Sequence, residues 1–359
     1  MGGMKRVGVR YSWIMGAVLV IGLGASTSLN YIVDPLQYFR RADYVPLFTE
    51  NQRYQNPGLA RNYPYDTIVT GSSLTQAFLA ADVEAALGGK VLRMPINGSS
   101  ALEHALLIEV AYRTGRLRRV IRDVHYSNVM APPDITKGDR GEFPRYLYDT
   151  NPWNDLAYLA NFDTFALTAR VLLSRLGVLP LRAMKVEHLY TDVLKRPKGI
   201  ERVAASYRHV MTLTGEGASI DNALTNIEDN YARLARDMPD VQFVYFFPPY
   251  SAAWYAARMD NPLLELDTFL RMKAAFYAAT IDLPNVTIFD FQCREDLIFN
   301  FDEYRDQGHY TEAIGRQLLA EMAEGKGRVT PETVDDNVSC IRERTPYWRD
   351  KTRSLLGVE

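Results

Sequence analysis

The sequence predicts an α/β fold: a three-layer α/β/α arrangement with a parallel five-stranded sheet, a helical insertion and an N-terminal transmembrane helix. Three observations lead there. Five short apolar runs recur along the chain, stretches with helical periodicity separate most of them, and one long uncharged run stands near the N-terminus. Strands alternating with helices indicate a parallel sheet covered on both faces, with ligands held at the carboxyl ends of the strands.

The elements follow in order. Lys5, Arg6 and Arg10 precede residues 11–33, which contain no charged residue before Asp34. As a helix this run extends about 34 Å, enough for a bilayer core of about 30 Å. The basic flank assigns residues 1–10 to the cytoplasm, 11–33 to a single-pass anchor and the remainder to the far side. Ala25-Ser26-Thr27 would suit a cleaved signal peptide, but the uninterrupted length, with Trp13 and Tyr31 near its ends, favours a retained anchor. Residues 34–325 read as the catalytic domain, beginning with a stretch of little periodicity up to about Tyr65.

The apolar runs are "DTIVTG", "KVLRMP", "VIRDVHYS", "VQFVYFFPP" and "NVTIFDF". Between the first two lies a helix ending at Gly88-Gly89, a natural stop. Between the second and third lies "ALEHALLIEVAYRTGR", with Leu102, Leu106 and Val110 on one face. Helical patterns precede the fourth and fifth runs, and "TEAIGRQLLAEMAEG" follows the last. Residues 131–220 break the repeat and are expected to cover the active face as a helical insertion, with a separate helical domain as the alternative. Residues 326–359 read as a polar tail on the outside.

A chain of 359 residues with a net charge of −2 lacks the basic excess of a nucleic-acid protein. Its 22 Tyr against 4 Trp suit a sugar-facing cleft, and equally a large α/β core. Export bears on the two cysteines, Cys293 and Cys340. In an oxidising compartment the pair can form one disulfide; otherwise both are free thiols. No Cys/His cluster suggests a metal site, and no cofactor motif is present.

A nucleophilic serine needs an imidazole base and a carboxylate to orient it. Of the five histidines, His104 falls in a helical pattern, and His188 and His209 lie in the insertion. His309 stands in Asp306-Gln307-Gly308-His309, a short turn before the last helix. Ser73, in Gly71-Ser72-Ser73-Leu74 at the end of the first strand, would have its amide near a helix N-terminus, where positive partial charge stabilises an oxyanion. Ser72 is its competitor. Tyr250 and Trp254, after the fourth strand, could face a sugar ring, or pack the insertion onto the sheet.

Gly71-Ser72-Ser73-Leu74, Asn97-Gly98, Asn128 and Asp306-x-x-His309 close successive strands in an order that resembles the SGNH/GDSL hydrolase superfamily. The resemblance implies Ser73 as nucleophile, Asp306 and His309 as its partners, and the Ser73 and Gly98 amides as oxyanion donors. The family's third block, Gly-x-Asn-Asp, is not reproduced by "HYSNVM"; Asn128 stands in its place as the third donor.

Within the superfamily the chain is similar to membrane-anchored envelope acyl-transfer proteins of teichoic acid D-alanylation and alginate O-acetylation. The shared features are the anchor, "VDP" after it, the serine block, "FFPPYS" and the terminal D-x-x-H-Y. That likeness implies a bacterial cytoplasmic membrane, a body on the periplasmic or extracellular side, and an O-acyltransferase acting on a cell-envelope glycan. It also implies a membrane-bound O-acyltransferase partner that supplies the acyl group. An esterase and a non-catalytic glycan-binding scaffold are the alternatives.

Overall fold

All five apolar runs are strands: β1 Thr67–Gly71, β2 Val91–Pro95, β3 Arg119–Asp123, β4 Gln242–Phe247 and β5 Val286–Asp290. Every pairing is parallel, the order is β2-β1-β3-β4-β5, and helices lie on both sides. β1 and β2 are buried along their whole length, so neither shows the alternation of buried and exposed positions of a half-solvated strand. The chain leaves β1 towards β2 and then returns to β3 on the other side. The carboxyl ends of β1 and β3 therefore flank a topological switch point, the usual place for a ligand in such a sheet.

This computed structural model describes residues 2–137, 142–180, 184–215, 217 and 219–358. Parts of the predicted insertion (138–141, 181–183, 216 and 218), both terminal residues and the side chains of Lys5 and Arg6 lie outside the described residues. Two compact units emerge, one of Met1–Tyr63 with Pro144–Val186, the other of Pro64–Phe143 with Glu187–Glu359. The segment expected as one insertion is thus divided: its middle joins the N-terminal unit, and its ends belong to the sheet unit.

In the N-terminal unit, a helix spans Gly2–Val33, and its Arg10–Val33 portion is long and apolar enough to cross a membrane by length and composition. Asp34 ends it in a left-handed conformation (φ 49°). Its buried carboxylate accepts the amides of Tyr38, Phe39 and Arg40 at 2.8–2.9 Å and the Tyr158 hydroxyl at 2.9 Å. The stretch before Tyr65, expected to be irregular, contains a helix, Gln52–Asn62. Its buried positions include Gln52, Arg53, Gln55 and Asn56, so no apolar period announces it.

In the sheet unit, the helix Ala101–Tyr112 begins with a capping box between Ser100 and Glu103. It is buried on nearly all sides, and Leu102 and Leu106 fall on its less buried side. The segment expected as an outer polar tail carries a 23-residue helix, Val334–Leu356. Ile341, Thr345, Trp348 and Thr352 form its fully buried stripe. The Trp348 indole donates to Glu295 Oε1 at 2.9 Å, and its ring meets Tyr255 at 5.3 Å. A disulfide joins Cys340 in this helix to Cys293, just beyond β5.

That bridge closes a 47-residue separation. By loop entropy its loss should cost roughly 2–4 kcal/mol. Replacing both cysteines with serine should lower the melting temperature, with Trp348 fluorescence reporting early release of the C-terminal helix. An unchanged melt would show that packing alone holds that helix.

Candidate active site

β1 ends at Gly71, with φ of 139°. A Cβ there would lie 2.1 Å from Asp123 Oδ1, so only glycine allows the neighbouring strand's carboxylate this close. Asp123, at the end of β3, is fully buried and takes both donors of the next residue: the Ser72 amide at 2.9 Å and the Ser72 hydroxyl. Burial raises the Asp123 pKa, and the two Ser72 bonds oppose that rise. Ser72 Oγ also accepts the Leu74 amide at 3.2 Å and caps the short 3₁₀ turn Ser73–Ala77. With Ser72 held inward, Ser73 is the half-buried first residue of that turn.

Ser73 Oγ lies 2.7 Å from Nε2 of His309, and His309 Nδ1 lies 2.6 Å from Asp306 Oδ2. The amides of Gly308 and His309 donate to Asp306 Oδ1, each at 2.8 Å. A carboxylate can only accept, so Nδ1 carries the ring proton and Nε2 offers its lone pair to the serine hydroxyl. Burial pushes the Asp306 carboxyl up, but the His309 ring and the two amides outweigh it and hold the group well below the usual range. The three residues the sequence singled out thus form one hydrogen-bonded chain, Ser73–His309–Asp306.

Its surroundings are built from several elements. The Ser251 amide and hydroxyl both donate to Gln307 O at 2.9 Å, fixing the 306–309 turn from below. Arg305 donates to the carbonyls of Val193 (2.9 Å) and Leu194 (2.6 Å) and pairs with Glu312 at 3.0 Å. Gln76, in the serine turn, donates to Asn97 at 2.7 Å and Asp192 at 3.0 Å. The helix Glu312–Ala323 approaches the serine turn at Gly315, where a Cβ would lie 2.3 Å from Ala77 O.

The Ser73 amide has no hydrogen-bond acceptor among the described residues, as the first amide of a short helical turn should not. Gly98 (φ 56°) follows Asn97, which bonds Gln76, so β2's loop is tied to the serine turn. Asn128 Nδ2 donates to Ser99 Oγ at 3.1 Å, and Ser99 in turn meets His104 Nε2 at 2.6 Å. His188 and His209 are exposed. Tyr250 and Trp254 are corrected by the structure: both are buried and stacked on each other at 4.1 Å, not offered to a sugar. The Tyr250 hydroxyl instead accepts the Tyr126 amide at 3.1 Å. Among the described residues no three His, Cys, Asp or Glu side chains are grouped as metal ligands.

Sequence reasoning missed Asp123, Gly315 and His125. Asp123 had a signal: a carboxylate ending an apolar run beside the switch point. His125, two residues on, stacks edge-on to Tyr250 at 5.8 Å, and its Nδ1 is buried without a partner among the described residues. Burial, then the nearby charges of His309 and Arg258, lower its pKa to about 3.

No family model matches the chain, and no curated protein does. A solved structure described as "a putative platelet activating factor from Streptococcus pneumonia" is similar over 77% of this chain and 91% of its own, at 11% identity and a TM-score of 0.40.

Two outcomes test this geometry. Gly315→Ala should destabilise by about 1–3 kcal/mol through overpacking against Ala77 and lower any Ser73-dependent turnover. An undisturbed melt with full turnover would show that the contact yields freely. For His125, the folded ring stays neutral down to about pH 3, whereas the unfolded ring gains a proton near 6.5. The unfolded state therefore binds more protons between those values, and stability falls as pH drops through that window. His125→Gln should lose less stability than the parent between pH 6.5 and about 3, as measured by denaturant titration. Parallel curves would contradict the burial argument.

Proposed function

We propose that this chain is an exported, membrane-anchored serine acyltransferase that moves O-linked acyl groups onto a cell-envelope polysaccharide. The observation that carries the chemistry is the Ser73–His309–Asp306 hydrogen-bonded chain at the carboxyl end of β1. The likeness of the sequence motifs to SGNH envelope proteins supports the substrate class, and the apolar helix Arg10–Val33 supports the anchor.

In the proposed reaction His309 Nε2 takes the hydroxyl proton as Ser73 Oγ attacks an acyl carbonyl. The developing oxyanion meets the Ser73 amide, with Gly98 and Asn128 as the further donors the resemblance suggests. As the tetrahedral intermediate collapses, the donor oxygen leaves with the proton from His309, and an acyl ester remains on Ser73. His309 then deprotonates an incoming hydroxyl, which attacks the ester and frees Ser73. Asp306 keeps the ring in the required tautomer and stabilises its transient charge. A sugar hydroxyl in the last step gives transfer; water gives an esterase. A membrane-bound O-acyltransferase that supplies the acyl group completes the proposed system.

Ser73→Ala should reduce acyl turnover on the order of 10⁶-fold, and His309→Ala similarly, with the double variant hardly worse because the residues act as a unit. The measurements are ester hydrolysis by the purified full chain and acyl content of envelope polysaccharide in a complemented strain. Ser72→Ala should leave the chemistry standing but lower stability by about 1–3 kcal/mol, since it strips a partner from buried Asp123. Full glycan acylation with Ser73→Ala would sink the catalytic reading and favour a scaffold.

A further inference from the structure

The helix Phe162–Arg175 is inverted relative to a soluble helix. Its buried side carries Thr164, Thr168 and Val171, whereas Phe162, Ala166, Ala169, Leu173 and the following Leu176 recur every three to four residues on the other side. Phe162 is 80% exposed and Leu176 is 76% exposed. Trp153, Leu156 and Val178, nearby in sequence, are exposed as well. An amphipathic helix normally turns such a stripe towards an apolar phase.

The same block packs against the last two turns of the Gly2–Val33 helix. Ser26 and Thr27 are half-buried there, and Asn30 and Val33 are buried, while side chains from Arg10 to Ala25 are exposed. Asn30 Nδ2 donates to Leu159 O at 2.8 Å, and Asp34 holds the Tyr158 hydroxyl. Ser26 to Val33 covers about 10 Å of helix rise. If Arg10–Val33 spans a bilayer of about 30 Å, those turns lie in its outer part, and whatever packs on them shares that depth.

The backbone suits that depth too. The amides of Gly177, Val178 and Leu179 are satisfied by Ser174 O and Leu173 O, so the exposed apolar tip offers lipid no unpaired donor at these positions. Arg170, beside the stripe, has the length to snorkel to the headgroups.

We infer that the 153–179 block is a second membrane-contacting element, with Phe162, Leu173 and Leu176 facing the acyl chains of the outer leaflet beside the anchor helix. An amphipathic helix at a bilayer surface binds lipid through its apolar face. The inference rests on the proposed anchor, and intact mass separates the two: a chain shortened by about the first 25 residues would refute the anchor.

The test uses the full chain in phosphatidylglycerol/phosphatidylcholine nanodiscs. Single cysteines at 162, 173 and 176, added beside the native disulfide, carry an environment-sensitive fluorophore. Labels at all three sites should be quenched several-fold more by doxyl-labelled lipid than by aqueous iodide. Quenching of the three by iodide alone would overturn the proposal. Shielding from both quenchers would overturn it as well, and would assign the stripe to a protein partner or a second copy. A truncated chain showing lipid quenching on vesicles would keep the lipid contact while the anchor falls.

Discussion

The buried carboxylate of Asp123 sets the direction in which Ser73 points. It accepts both donors of Ser72, and it can sit there only because Gly71 has no Cβ to collide with it. With Ser72 fixed inward, the next side chain must leave the turn on the open side, where His309 waits at 2.7 Å. Leaving the Asp123 carboxyl unpaired in a buried site would cost on the order of 1–3 kcal/mol or more. The local geometry is therefore coupled to the stability of the sheet itself.

The other half of the chain is brought in from far along the sequence. His309 follows Ser73 by 236 residues, and its turn is pinned by Ser251 below and by Arg305 from the side. Gly315 lets the following helix approach the serine turn at a distance no side chain would tolerate. Tyr250 touches both sides of this arrangement: its ring meets His125, it lies against Gly308, and its hydroxyl holds the Tyr126 amide. An aromatic that looked suited to a sugar is instead part of the frame beside the Ser73–His309 pair.

Much of the sheet was legible because each strand carries at least two adjacent buried or half-buried apolar residues, such as Ile68-Val69 and Val120-Ile121, and ends at or near a turn residue such as Gly71 or Asn97. Ser73 was legible as a short motif at the end of β1, and Asp306 and His309 as a D-x-x-H turn just before the helix Glu312–Ala323. The rest was hidden for identifiable reasons. The C-terminal helix buries Thr345 and Thr352 beside Ile341 and Trp348, and it contains Pro346, so neither hydropathy nor propensity marks it. The helix Gln52–Asn62 buries amides and an arginine and contains Pro57. Asp123 and Gly315 act through contacts with residues distant in sequence, which no local pattern encodes. The helix Phe162–Arg175 misleads in the opposite way, since its apolar stripe faces outward.

In the proposed reaction Ser73 becomes acylated through His309. Its most direct test is to mix the full chain with an activated acetyl ester, quench in acid within the first turnover, and map the peptides by mass spectrometry. One acetyl group is expected on the peptide containing Ser73, formed at a rate that collapses in His309→Ala. Turnover of the ester with no adduct on Ser73, or equal labelling in both proteins, would contradict it.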